Sequence, residues 1–142
     1  PSLFFQQAER LGAKPLFWAK RAGGYQPMSW AEAREQVYAL AAWLLRIGIA
    51  RGDRILLLSE NRPEWGMADL AIQAAGAWTV PIYPTLTHAD IATIANDCEP
   101  VAAVVSTPEQ ASKLRSCSLR RVIIMDAGST APEAVSWQEA IR

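Results

Sequence analysis

Apolar residues recur every three or four positions between residues 30 and 47, which is the spacing of a helix with one buried face. The residues on that face are Trp30, Ala33, Val37, Leu40, Ala41, Leu44 and Ile47. Ser29 directly precedes this stretch and Glu32 is its third residue, which is the arrangement of a capping box. Gly48 follows the end of the stretch. The pattern predicts one long amphipathic helix.

Further along the chain, short runs are apolar at consecutive positions. They lie at residues 55–58, around Val80, at 101–105 and at 122–125. Runs of this kind are typical of strands that helices cover on both faces. Helices are predicted between them at 62–75, 88–96 and 108–114, and Thr87 and Thr107 are placed to cap the last two. Alternating strands and helices predict an α/β fold with a mainly parallel sheet and helices on both faces.

The two ends of the chain show weaker patterns. Ser2 is placed to cap a short amphipathic helix that ends at Gly12, and strands at 16–21 and 25–28 with Ala22, Gly23 and Gly24 between them predict a small N-terminal β-hairpin. Residues 126–135 are predicted to form a polar loop. Ser136 then begins a helix that has barely a turn and a half before residue 142, so we expect residues 1–142 to be a single, partial α/β domain.

Residues 61–85 combine a helix, a strand and a stiff loop. Asn61 is placed to cap the helix, with Pro63 in its first turn and Glu64 able to reach back to the cap. The strand after it is predicted to end at Pro81.

The loop after that strand contains the candidate site residues. Ligands of open α/β sheets bind beyond the carboxyl ends of the strands. We therefore take Tyr83, Pro84 and Thr85 as candidates for the wall of a substrate cleft, with His88 beside them.

Composition narrows the class of protein. The chain has 142 residues, 14 basic and 14 acidic, with 51% hydrophobic residues, which argues against disorder and against nucleic-acid binding. Cys98 and Cys117 form no Cys-x-x-Cys pair, and with a single histidine they predict two reduced thiols in a cytoplasmic protein and no structural zinc. The longest apolar stretch, 68–83, is shorter than the roughly 20 residues of a transmembrane helix.

Motifs of the common catalytic classes do not occur in the sequence. It contains no phosphate-binding P-loop, no dinucleotide fingerprint, no zinc-protease motif and no nucleophile elbow. The sole histidine, His88, falls in the first turn of a predicted helix, where the helix dipole disfavours its cationic form. The six tryptophans are interpreted as core packing. No catalytic, cofactor-binding or metal-ligating residue is assigned.

Several segments resemble, in order, the AMP-forming adenylating enzymes, and among them the long-chain acyl-CoA synthetases. They are residues 28–32, 52–54, 59–65, 69–72, 75–77, 80–85 and 96–99. The Asn-Arg-Pro-Glu-Trp of 61–65 and the Ile-Tyr-Pro-Thr of 82–85 point to the long-chain fatty acid branch.

The resemblance implies a parent ligase that uses ATP, Mg²⁺ and coenzyme A to activate a fatty acid or other carboxylate. The family's phosphate loop, ribose-binding aspartate and C-terminal domain with its catalytic lysine are expected after Ser136 and are not in this sequence. The chain would therefore be an inactive N-terminal portion whose main partner is the rest of that enzyme. A cytoplasmic location is expected, with peripheral membrane contact and self-association of the portion left open.

Two other hypotheses remain open at this point. One is a self-contained α/β interaction or small-molecule binding module without catalysis. The other is the N-terminal part of an aryl or amino acid adenylating enzyme. The sequence sets neither the strand order nor the preferred acyl chain.

Overall fold

A computed structural model describes residues 1–21, 23–126 and 134–142. The helices are α1 (Ser2–Leu11), α2 (Trp30–Arg46), α3 (Pro63–Ala74), α4 (His88–Cys98), α5 (Pro108–Ser112) and α6 (Trp137–Ala140). The strands are β1 (Pro15–Arg21), β2 (Gly24–Ser29), β3 (Arg54–Leu58), β4 (Trp78–Ile82), β5 (Ala102–Val105), β6 (Arg121–Ile124) and β7 (Ala134–Ser136).

Five of the strands form one parallel sheet in the order β4-β3-β5-β6-β7. Strands β1 and β2 form a separate antiparallel hairpin. The predicted fold class, a mainly parallel sheet with helices on both faces and a small N-terminal hairpin, is confirmed. Ala22, which was predicted to lie in the hairpin turn, is outside the described residues.

Strand β3 divides the core into two layers. Ile55 and Leu57 point to the face covered by α2 and α3, whereas Leu56 and Leu58 point to the face covered by α4 and by residues around Leu114. All four side chains are fully buried, which explains why the run is apolar without alternation.

Side-chain caps hold the starts of four helices. Ser29 with Glu32 and Thr87 with Asp90 form complete capping boxes, and the hydroxyls of Thr107 and Ser136 each accept from a backbone N–H of the third helical residue. The backbone and side-chain hydrogen bonds of Ser29 lower the pKa of Glu32, and those of Thr87 lower the pKa of Asp90. These predicted helix starts are therefore correct.

Two other helix starts differ from the prediction. The N-cap of α3 is Arg62, which makes no side-chain cap hydrogen bond, because a guanidinium only donates and cannot accept from the backbone N–H groups; Asn61 is not the cap. Ser2 is the first residue of α1 and not its cap.

Two strands also differ. Strand β4 continues through Pro81 to Ile82, which is tolerated because β4 is the edge strand of the described sheet. Residues 134 and 135, predicted to end a polar loop, form β7 together with Ser136 and pair with β6. The rest of that predicted loop, residues 127–133, lies outside the described residues.

The six tryptophans divide into three pairs by their exposure. Trp43 and Trp137 are buried, and the Trp137 indole N–H donates to Gln36 Oε1 at 3.1 Å, which ties α6 to α2. Trp30 and Trp65 are half-buried. Trp18 and Trp78 are exposed, so the interpretation of all six as core residues is wrong for these two.

Leu57→Ala is expected to lower the free energy of unfolding by about 2–5 kcal/mol, because it opens a cavity in the central strand where the backbone cannot collapse. Chemical denaturation followed by circular dichroism measures the change. Leu45→Ala is the matched control, since Leu45 is 54% exposed, and should stay within about 0.5 kcal/mol of the unsubstituted chain. Equal losses from the two substitutions would contradict the described core.

Candidate functional site

The carboxyl ends of the strands meet at one edge of the sheet, and the strand order reverses there between β3 and β5. From β3 the chain passes through α3 to β4 on one side, and from β4 it returns through α4 to β5 on the other side. In open α/β sheets the crevice at such a reversal is where ligands bind. Residues 59–62 follow β3 at this crevice, and Ser106 and Thr107 follow β5.

An arginine spans the mouth of this crevice. The Arg62 guanidinium donates to Glu64 at 3.0 Å and reaches Asp126, beyond the end of β6, at 2.9 Å; Glu60 lies 3.6 Å away. Partial burial lowers the pKa of Arg62, but the hydrogen bonds and negative charges of Glu64 and Asp126 outweigh it and leave that pKa above its ordinary value. Arg62 therefore remains cationic and joins the loops after β3 and β6.

Backbone hydrogen bonds close the same edge. The Ser106 N–H donates to the Leu58 carbonyl at 3.0 Å, and the Asp126 N–H donates to the Ser106 carbonyl at 3.0 Å. The Ser106 side chain is fully buried, and its hydroxyl has no hydrogen-bond partner among the described residues. This edge thus holds a buried neutral hydroxyl without a partner among the described residues, and a cation that is already paired with carboxylates.

The sequence-predicted candidates lie one strand away from the crevice, at the end of edge strand β4. Tyr83 is 77% exposed and Thr85 is also exposed, while Pro84 is half-buried. The Leu86 N–H donates to the Tyr83 carbonyl at 3.0 Å and closes a turn. These residues form a loop at the carboxyl edge of the sheet, but not at the reversal of strand order.

A lysine from α5's C-terminal end holds this loop. Lys113 Nζ donates to the carbonyl of Pro84 at 2.5 Å and to that of Leu86 at 3.1 Å. His88 Nδ1 lies 2.7 Å from the Lys113 carbonyl and must carry the proton there, because a carbonyl oxygen only accepts. Pro84 and His88 are therefore brought together through Lys113, whereas Tyr83 and Thr85 point to solvent.

Lys113, Ser106 and the pairing of Arg62 with Asp126 are not among the residues predicted from the sequence. Arg62 was noted only as part of a motif. No local pattern links it to Asp126, and only the order of the strands brings the two together. Ser106 directly follows a buried apolar run, and that position was the available signal.

The remaining chemistry-bearing groups offer little reactivity. Cys98 and Cys117 are free thiols, and burial raises the pKa of both. Among residues 1–21, 23–126 and 134–142, no three histidine, cysteine or acidic side chains are grouped to hold a metal ion. No helix in the described part of the chain is both long and apolar enough to cross a bilayer.

The sequence of this chain is similar to those of known enzymes. Residues 4–141 match the family described as AMP-binding enzyme. The chain is 34% identical over 111 residues to a long-chain-fatty-acid–CoA ligase of Mycobacterium bovis, and 33% identical over 111 residues to one of Mycobacterium tuberculosis. Each match covers 75% of this chain and 18% of the relative, so the chain spans less than a fifth of the length of these curated relatives.

Solved structures with the same fold include two ligases. Acetoacetyl-CoA synthetase from Streptomyces lividans matches with a TM-score of 0.87 and 23% identity, over 96% of this chain and 24% of that one. A benzoate CoA ligase from Burkholderia xenovorans matches with a TM-score of 0.81 and 22% identity, over 99% of this chain and 27% of that one. At these identities the likeness concerns the fold.

Arg62→Gln is expected to lower the free energy of unfolding by about 1–3 kcal/mol, because it removes charged hydrogen bonds and leaves Glu64 and Asp126 without their shared cation. Arg62→Lys should lose less, since it keeps the charge but not the planar fork. Denaturant titrations measure both. Arg115→Gln, at an exposed arginine, is the control; if it costs as much as Arg62→Gln, the bridge does not hold the crevice.

Lys113→Met is expected to free the loop after β4, because the carbonyls of Pro84 and Leu86 lose their common donor. Hydrogen exchange of the Leu86 amide should become about tenfold faster or more, while the amides of β3 keep their rates. Lys14→Met, at an exposed lysine, should change neither. Unchanged exchange at Leu86 would mean that the loop holds itself.

Proposed function

Since this chain belongs to the AMP-binding enzyme family, we propose that it is the N-terminal part of an ATP-dependent, AMP-forming ligase that joins fatty acids to coenzyme A. The observation that carries the proposal is the 34% identity, over 75% of the chain, to a long-chain-fatty-acid–CoA ligase. The reaction has two steps. A carboxylate oxygen attacks the α-phosphorus of ATP and releases pyrophosphate, and the thiol of coenzyme A then attacks the acyl carbon and releases AMP.

The long-chain branch is preferred over the aryl branch on sequence. Several relatives with significant similarity carry names of fatty acid CoA ligases, including one of Drosophila melanogaster that is 27% identical over 84% of this chain. The aryl-type ligases named among the structural neighbours are below 25% identical, and they therefore argue for the fold.

The part played by this chain is to build the scaffold and one wall of the substrate cleft. Adenylation needs positive charge arranged around the phosphates, and the cations described here are engaged differently. Arg62 is paired with carboxylates, and Lys113 holds two backbone carbonyls. The described residues also offer no cluster of ligands for Mg²⁺, so we assign no metal-dependent step to them.

The loop of Tyr83, Pro84, Thr85 and His88 is the segment that we expect to face substrate or coenzyme A in the complete ligase. Its backbone is fixed by Lys113, while the side chains of Tyr83 and Thr85 project from it. A fixed loop with free side chains is suited to line a channel for the acyl chain or the pantetheine arm. The free, protonated thiols of Cys98 and Cys117 are consistent with the cytoplasmic location that belongs to this proposal.

Pyrophosphate release tests whether the complete ligase is active and the 142-residue chain alone is not. The complete ligase, with ATP, Mg²⁺ and coenzyme A, is expected to release pyrophosphate and AMP in equal amounts with palmitate and much less with benzoate. The 142-residue chain alone should release none under the same conditions.

Three results would contradict the proposal in different ways. Turnover by the 142-residue chain would show that it contains the phosphate-binding machinery after all. A complete protein that prefers benzoate would move it to the aryl branch, and one that releases no pyrophosphate with any carboxylate would favour a binding module without catalysis.

A further inference from the structure

The loop between β4 and α4 is fixed at both of its ends by local hydrogen bonds. We call residues 83–87 the β4–α4 loop. The Leu86 N–H donates to the Tyr83 carbonyl at 3.0 Å and closes a turn. The Thr87 hydroxyl donates to the Asp90 carboxylate at 2.6 Å and accepts from the Asp90 N–H at 3.3 Å, which is the capping box of α4. The start and the end of the loop therefore need no distant partner.

The middle of the loop is held by one residue that comes later in the chain. The Lys113 ammonium donates to the carbonyls of Pro84 and Leu86, which lie 29 and 27 positions before it. The backbone carbonyl of Lys113 accepts from His88 Nδ1 at 2.7 Å. A single residue at the C-cap of α5 thus ties three points between residues 84 and 88 to the domain.

The hydrogen bond to Pro84 acts on the peptide group that a turn leaves freest. In a turn closed between residues 83 and 86, the central peptide joins residues 84 and 85, and its rotation distinguishes the common turn types. The carbonyl of that peptide is the one that belongs to Pro84. Lys113 therefore fixes the backbone from which the side chain of Thr85 projects, and it steadies the turn that begins at Tyr83.

The chemistry of the loop matches an uncharged part of a substrate. Residues 83–87 include no acidic or basic side chain. The ammonium of Lys113 is bound to carbonyls, and Nδ1 of His88 is bound to another. A phosphate group needs cations or clustered N–H donors, whereas the ring of Tyr83 and the methyl group of Thr85 suit a flexible carbon chain. The acyl chain of a fatty acid and the pantetheine arm of coenzyme A both have this character.

We propose that Lys113 is a positioning residue of the ligase, which sets where Tyr83 and Thr85 meet the uncharged chain of the acyl substrate or of coenzyme A. The inference rests on the proposed function and adds the residue that controls the affinity of this part of the cleft. Lys113 itself touches no reacting atom. A loop that is already ordered loses less conformational freedom when the substrate binds, so the contacts of Lys113 lower KM and leave the chemical steps unchanged.

Steady-state kinetics of the complete ligase test this role. Lys113→Met is expected to raise the KM for palmitate or for coenzyme A by about fivefold to tenfold, with kcat and the KM for ATP within about twofold of the unsubstituted enzyme. Lys113→Arg keeps a cationic donor and should recover most of the lost affinity. Lys14→Met, at an exposed lysine on another part of the chain, is the matched control and should leave every KM within about twofold.

The two steps of the reaction distinguish the two chains. Exchange of labelled pyrophosphate into ATP requires the fatty acid but not coenzyme A. If Lys113→Met already raises the KM for palmitate in this exchange, the loop contacts the acyl chain. If the exchange is unchanged and only the KM for coenzyme A rises, the loop contacts the pantetheine arm.

A double-mutant cycle shows whether Lys113 acts through the loop. In a ligase that carries Tyr83→Ala and Thr85→Ala, Lys113→Met should raise the same KM by no more than about twofold, because the side chains that it positions are gone. A lysine that only stabilises the fold would have the same effect in both backgrounds.

Three outcomes would overturn the inference in an active ligase: Lys113→Met leaves every KM unchanged, it raises the KM for ATP as much as the others, or its effect is equally large without the side chains of Tyr83 and Thr85. An unsubstituted complete protein that releases no pyrophosphate contradicts the proposed function instead, and the inference falls with it. Circular dichroism and thermal melting check that each variant is folded. If Lys113→Met does not fold, Lys113→Gln decides by the same measurements, because it removes the charge and shortens the side chain but stays polar.

Discussion

The whole domain depends on burying one short strand from both sides. Strand β3 has no exposed side chain from Ile55 to Leu58, and it is bonded to β4 on one side and β5 on the other. Neither layer of helices covers it alone. The chain must therefore place α3 on one face and α4 on the other, and this requirement reverses the strand order at the carboxyl edge. The position of the crevice is thus a consequence of how the core is covered.

The sequence predicted helix starts and buried strands correctly where a residue type has a single local role. Hydroxyl caps such as Ser29 and Thr87 and the apolar run of β3 were interpreted correctly, because their signals lie within a few positions of each other. Asn61 is not the cap because α3 begins one residue later than predicted, with Arg62 at the N-cap and Pro63 as the first helical residue. Strand β7 was missed because a three-residue strand has too few positions to show a period. Trp18 and Trp78 look like core residues by type, and only the packing shows that they are not.

The geometry of the candidate site depends even more on contacts between residues that are far apart in the sequence. Sequence alone predicted a candidate loop at the carboxyl edge of the sheet, because loops after parallel strands share that edge. It could not show that this loop follows the edge strand β4, or that the strand order reverses between β3 and β5, because both depend on which strands are neighbours. Ser106 and Asp126 meet only when β5 stands between β3 and β6. Lys113 binds the loop after β4 from the end of α5, which comes later in the chain, and no local sequence pattern indicates this contact.

The hydrogen bond between Trp137 and Gln36 joins residues that are 101 positions apart. A ribosome adds residues from the N-terminus onward, so α2 emerges long before the indole that covers part of its buried stripe. For that interval the nascent chain exposes an apolar helix face whose last cover has not yet been made. Final consolidation of this layer must wait for the closure of a long loop, which is slow and favours late, cooperative folding. The cover that Trp137 gives to α2 therefore arrives only after strands β3 to β6 have been synthesised.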